Sequence, residues 1–166
     1  MKTAKQIWDD FCTVHQIADG SVRLFASDKL GFVETKEIGK KKKRRVLVRH
    51  DDMEKLILRE TDILIKDWSQ GTHQYDGLIY IMHQRGDDGC IVPLYIGKAE
   101  TFGLGGKNLS ANICDLHNRI AFYSCRAPFG GRELAYLGPM VDQKIWQRFW
   151  LDAVLRARPV TEDFAE

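Results

Sequence analysis

Two tyrosines, Tyr80 and Tyr95, stand within two short apolar runs, 78–82 and 94–96, and the second run is followed at once by Gly97 and Lys98. The stretch between the runs carries Gly86, Asp87, Asp88 and Gly89, the pattern of a hairpin whose loop is longer than two residues. A phenol is a poor base at its ordinary pKa of about 10. A cation beside it lowers that value, so Lys98 or a neighbouring arginine would make a tyrosinate accessible. The same two tyrosines would also serve as a plain cross-strand pair, which is common in sheets.

A second source of chemistry is charge. Lys36, Lys40, Lys41, Lys42, Lys43, Arg44, Arg45 and Arg49 fall within fourteen residues and are opposed only by Glu37. Such a run can bind a phosphate backbone through counterion release, with affinity that falls steeply with salt. A solvated loop or a localisation signal would look the same. The glycines of GLGG, 103–106, precede Lys107, Asn108 and a helical pattern. They could cradle a phosphate before a helix N-terminus, although the Lys-Ser/Thr pair of a nucleotide-binding loop is missing. A DNA-backbone contact involving Lys107 is the expectation there.

The elements that hold these residues follow from composition and period. A chain of 166 residues with 44% hydrophobic and 29% charged residues is an ordinary globular mix, large enough for one domain or a small domain with an extension. The net charge of +2 is nearly balanced, so the basic run matters by its concentration. Cys12, Cys90, Cys114 and Cys125 are far apart and make no paired spacing, which argues against a structural zinc site and a disulfide framework. The first residues lack the apolar core of a signal peptide, and no run approaches the roughly 20 apolar residues of a membrane span. A soluble cytoplasmic protein with no membrane partner is expected.

Ile7, Phe11, Val14 and Ala18 predict an amphipathic helix over 4–18, stopped by Asp19-Gly20. Short strands are expected over 22–38 and at 46–48. Asp51-Asp52 announce a second helix with Met53, Leu56, Ile57, Ile63 and Leu64 on its apolar face, although 63–65 also suits a strand. The pattern breaks at Ser69-Gln70-Gly71. A helix is predicted from about Leu109 with Asn108 as its cap, a third strand at 134–141, and a last helix from about Asp142 to Arg156 carrying Ile145, Trp146, Phe149, Trp150, Ala153 and Val154.

GLIY at 77–80, LYIGK at 94–98 and the NL-containing helix that follows together resemble the signature of the GIY-YIG nuclease superfamily, over residues 77–119. The resemblance implies an α/β fold, a small, mainly antiparallel sheet flanked by helices, in a domain spanning 77–166; residues 1–71 have no counterpart in it and are expected to form an N-terminal α+β extension that holds the basic segment 36–49. It also implies metal-dependent, endonuclease-type hydrolysis of nucleic-acid phosphodiester bonds, with double-stranded DNA as the expected partner. A hard cation, Mg²⁺ or Mn²⁺, would act as Lewis acid. Tyr80 and Tyr95 would organise the water, with Lys98 stabilising phosphate charge and Lys40, Lys41, Lys42, Lys43, Arg44 and Arg45 holding the backbone. Aligning NLSANI with the family's NL-x-x-R-L places Asn112 where an arginine stands. Arg119 lies seven residues on, close to two helical turns, hence on nearly the same face. It is the candidate phosphate contact, with His117 as a phosphate or proton partner, and a solvated helix arginine is the other possibility. In IWQRFWL, Gln147 occupies the expected carboxylate position, which leaves Glu133, Glu162 and Glu166, with Glu133 and Glu162 as the candidate metal ligands, although a surface acid is the better reading of each. These departures keep a rival open: a degenerate module of the same fold that binds nucleic acid or a protein partner without cutting. A third possibility is an interaction domain in which YIGK is coincidental.

Overall fold

The two tyrosine-bearing apolar runs become a long hairpin in the computed structural model, which describes residues 1–30, 33–40, 44–103, 105, 106, 108–120 and 154–160. The elements in chain order are α1 (Ala4–Val14), β1 (Val22–Arg23), β2 (Thr35–Ile38), β3 (Arg44–Leu47), α2 (Asp51–Gln70), β4 (Gly77–Arg85), β5 (Ile91–Glu100), α3 (Ala111–Arg119) and β6 (Val154–Val160). Four strands form one sheet in the order β1-β6-β4-β5, and β2 and β3 form a separate two-stranded ribbon. Every pairing is antiparallel. The fold class is therefore α/β with small antiparallel sheets, as the sequence suggests.

Helix α2 follows from its apolar period. Met53, Leu56, Ile57, Glu60, Thr61, Leu64 and Asp67 are buried at spacings of three and four. Residues 63–65 are thus helical, since a 20-residue helix with one continuous buried stripe outweighs three β-branched or leucine side chains. The N-cap is His50, whose side chain accepts from the Asp52 N–H, while Asp51 and Asp52 lie in the first turn, where the helix dipole favours acids. Gly71 closes the helix in the left-handed region (φ 68°), so the break at 69–71 is a C-cap. Behind it, Asp67 is buried, and burial pushes its carboxyl up. Hydrogen bonds from the Thr72 hydroxyl and from the N–H groups of Gln74 and Tyr75 outweigh that and hold it below the usual carboxylate range. One carboxylate thereby organises the turn that delivers the chain into β4.

The main core runs across that turn. Leu24, Phe25, Val33, Leu47, Met53, Leu56, Ile57 and Leu64 share a cluster with Leu78, Met82, Ala99, Ile113, Leu116 and Ile120. Helices α2 and α3 therefore cover one face of the sheet. On the other face, α1 packs Trp8, Phe11, Cys12 and the following Ile17 against Ile79, Ile81 and Ile91. The buried face of α1 is thus rotated from the expected one. Ile7 and Val14 are exposed, and the helix ends at Val14, with Gln16 at φ 50° leading the chain away. Trp8 decides the rotation, because its indole N–H donates to the Ile91 carbonyl at 2.7 Å while the ring packs on the sheet. Truncating Ile57 or Leu64, both fully buried, to alanine is expected to cost ~2–5 kcal/mol; a urea titration would read it as a lower midpoint at unchanged slope.

The expected last helix needs correcting where it meets the described residues. Val154 and Arg156 are in β6, which pairs with β4 from His83↔Val154 to Gly77↔Val160. Seven backbone pairs to a central strand outweigh the three-to-four spacing that carried the helical pattern to Val154. The predicted strand at 134–141, the remainder of that helix and Gln147 lie outside the described residues.

His83 on β4 is fully buried. The Ser21 hydroxyl donates to the Ile17 carbonyl at 2.7 Å, so the 2.9 Å contact between Ser21 and His83 Nε2 has the imidazole N–H donating. His83 Nδ1 then has no hydrogen-bond partner among the described residues. Burial holds the imidazole pKa below its ordinary value. The unfolded chain takes up that proton first, so this residue's contribution is complete above about pH 6.5 and is lost as the pH falls below it. Melting temperatures between pH 7.5 and 5 should decline, with a flatter profile in His83→Asn.

Candidate functional site

Strand register brings the two tyrosines together. Tyr80 on β4 lies opposite Gly97, and Met82 lies opposite Tyr95 on β5. The tyrosines are therefore diagonal neighbours on one face, with ring centroids 5.9 Å apart and planes tilted by 32°. Tyr80 is half-buried against the main core, and Tyr95 is 47% exposed. Gly97 is what lets the Tyr80 ring lie flat across β5, because a Cβ there would sit 2.5 Å from the Tyr80 hydroxyl. The glycine that follows Tyr95 and isoleucine in LYIGK thus has a direct steric reason.

Lys98 does not join this pair. It lies opposite Ile79, so strand alternation turns it to the α1 face of the sheet, where it pairs with Glu100 at 3.1 Å. The offset from Tyr95 is three residues, and an odd offset on a strand reverses the face.

Helix α3 lies on the tyrosine face. It starts at Ser110, whose side chain accepts from the Asn112 N–H, so the cap is Ser110 and not Asn108. Its buried stripe is Ile113, Leu116 and Ile120. One side of that stripe presents Asn112, Asp115 and Arg119. Arg119 donates from Nε to Asp115 at 2.7 Å and from Nη1 to the Asn112 side-chain oxygen at 3.2 Å. The guanidinium therefore reaches back to the position at which the sequence comparison expects an arginine. Hydrogen bonding from Asn118 and Arg119 holds the Asp115 carboxyl below its ordinary range. His117, two residues before Arg119, projects on the other side of the buried stripe and does not share Arg119's face.

The glycine loop is closed on itself. Gly103 N–H donates to the Asn108 carbonyl at 2.9 Å and Gly106 N–H to the Gly103 carbonyl at 3.0 Å. These are amides a phosphate cradle would need, so the loop reads as a turn into α3.

The basic run sits on the β2–β3 ribbon and its connection. Glu37 faces Arg45 and Ile38 faces Arg44 in register, and Lys36 and Lys40 are exposed. Lys41, Lys42, Lys43 and Lys107 lie outside the described residues. Arg49 leaves the run: it is largely buried, paired with Glu54 at 2.7 Å and bonded to carbonyls of α3.

Glu133 and Glu162 also lie outside the described residues. Among the described residues no group of three His, Cys, Asp or Glu side chains could hold a metal ion. These residues alone do not fit a divalent cation. No described helix is long and apolar enough to cross a membrane. No family model, curated protein or solved structure matches this chain.

Proposed function

We propose that this chain binds duplex DNA and hydrolyses its phosphodiester bonds at the face shared by Tyr80, Tyr95 and α3. The observation that carries the proposal is the tyrosine pair itself: two phenols on one face, with a bare glycine beneath one of them, and α3 on the same side of the sheet. In that arrangement both hydroxyls would orient a water and one of them, as tyrosinate, would take its proton, while Arg119, released from Asp115, would meet the negative phosphate. The ribbon cations would hold the backbone at a distance from the reacting bond. A divalent ion, when bound, would supply Lewis acidity and would need a carboxylate from beyond the described residues.

A second possibility, binding without cleavage, is favoured by one specific feature. Arg119 is committed to Asp115 and Asn112, so a phosphate must displace an existing ion pair. Both side chains are exposed, so solvent screens the pair and a phosphate can displace it. Incubating supercoiled plasmid with the protein and Mg²⁺ or Mn²⁺ tests the choice. Nicked and linear products support hydrolysis. Salt-sensitive retention of uncut plasmid would support the binding module instead.

A further inference from the structure

We infer that Arg49 is a positioning residue that fixes the spacing between the basic ribbon and the Arg119 face of α3, so that one duplex can meet both. The inference rests on the nucleic-acid function proposed above. Arg49 lies two residues beyond the end of β3 and is bridged to Phe25 of the core. Its side chain is 16% exposed. One terminal nitrogen donates to the carbonyls of His117 and, at 3.3 Å, Ile120. The other pairs with Glu54 in the first turn of α2 at 2.7 Å.

The two carbonyls belong to the end of α3, where a helix cannot satisfy its own acceptors. A planar guanidinium can serve two carbonyls and a carboxylate at once, whereas an ammonium is a single point of charge. One side chain therefore ties the exit of the ribbon to the start of α2 and the end of α3, and Arg119 lies between the two carbonyls it holds. Both terminal nitrogens of Arg49 are engaged within the fold and its side chain is largely buried, which sets it apart from the exposed cations of the ribbon. Removing it leaves the ribbon cations in place and frees the end of α3, and Arg119 with it, from the ribbon.

The test is a double-mutant cycle on the full chain. Affinity for a short fluorescein-labelled DNA duplex is measured by anisotropy, in EDTA, across a salt series. Arg119→Ala is expected to reduce the slope of log affinity against log salt by about 1, the signature of one lost phosphate contact. Arg49→Met is expected to reduce it by about the same amount, and the double variant by no more than either, because both lose one contact. Additive losses, or a wild-type slope in Arg49→Met, would overturn the inference. A wild-type slope in Arg119→Ala, or no binding by the wild type, would overturn the proposed function and the inference with it. Arg49→Lys repeats the cycle should Arg49→Met fail to fold, since it keeps the charge and loses the fork. Coupled loss with Arg119→Ala supports the inference, and a wild-type slope overturns it.

Discussion

Gly97→Ala is expected to slow DNA cleavage by on the order of 100-fold while leaving the protein folded. An added Cβ would lie 2.5 Å from the Tyr80 hydroxyl and 2.6 Å from Cε2 of the same ring. No L-residue tolerates that approach, so the ring must swing away. Its atoms form the far end of a side chain that is only half-buried, and the displacement is therefore inexpensive in stability. The phenol moves by about an ångström, and a misplacement of that size at a reacting centre is enough for a hundred-fold loss. Tyr80→Phe separates the two contributions: it removes the hydroxyl and keeps the ring. Single-turnover cleavage and a thermal melt on both variants would show similar rate losses with small shifts in melting. By contrast, Gly77→Ala should damage the fold, because its Cβ would meet the Ala99 backbone carbonyl at 2.7 Å, and backbone cannot step aside.

Replacing Lys40, Lys41, Lys42 and Lys43 together by glutamine is expected to weaken duplex binding by on the order of 1,000-fold at about 0.1 M salt. Each neutralised phosphate contributes about 0.9 to the salt slope, so four lysines would remove roughly 3.6. In sequence the substitutions fall between β2 and β3. Anisotropy titrations at several salt concentrations would give the slope, and unchanged melting would show that the loss is one of contact. A slope that stays at the wild-type value would mean that the lysines are a solvated loop.

The hairpin and α2 were legible in the sequence because each is governed by a local rule. Two apolar runs around a Gly/Asp loop specify β4–β5, and the partial apolar face of Met53, Leu56, Ile57 and Leu64 marks α2, whose stripe is completed by Glu60, Thr61 and Asp67, while Ile63 is exposed. The tyrosine pair was legible for the same reason, since register follows from the hairpin. What was not legible depends on long-range pairing. Val154 belongs equally well to a helical stripe and to a strand, and only β4 as a partner decides it. Trp8 turns α1 through a bond to Ile91, 83 residues away. Lys98 is near Tyr95 in sequence, whereas an odd offset on a strand places the two on opposite faces of the sheet. Arg49 was counted with its charged neighbours, although its burial between α2 and α3 is set by contacts 68 and 71 residues distant.

Cleavage of supercoiled plasmid by wild type and Tyr95→Phe, side by side in Mg²⁺ or Mn²⁺, tests the proposed chemistry most directly. Tyr95 is about half exposed, so loss of its hydroxyl leaves packing and register intact. The expected result is cleavage by the wild type and a rate lower by ~100-fold or more in the variant, the size of a lost proton-transfer or water-orienting group. Equal cutting by the two proteins would contradict it, because the paired phenols would then be no more than a cross-strand contact.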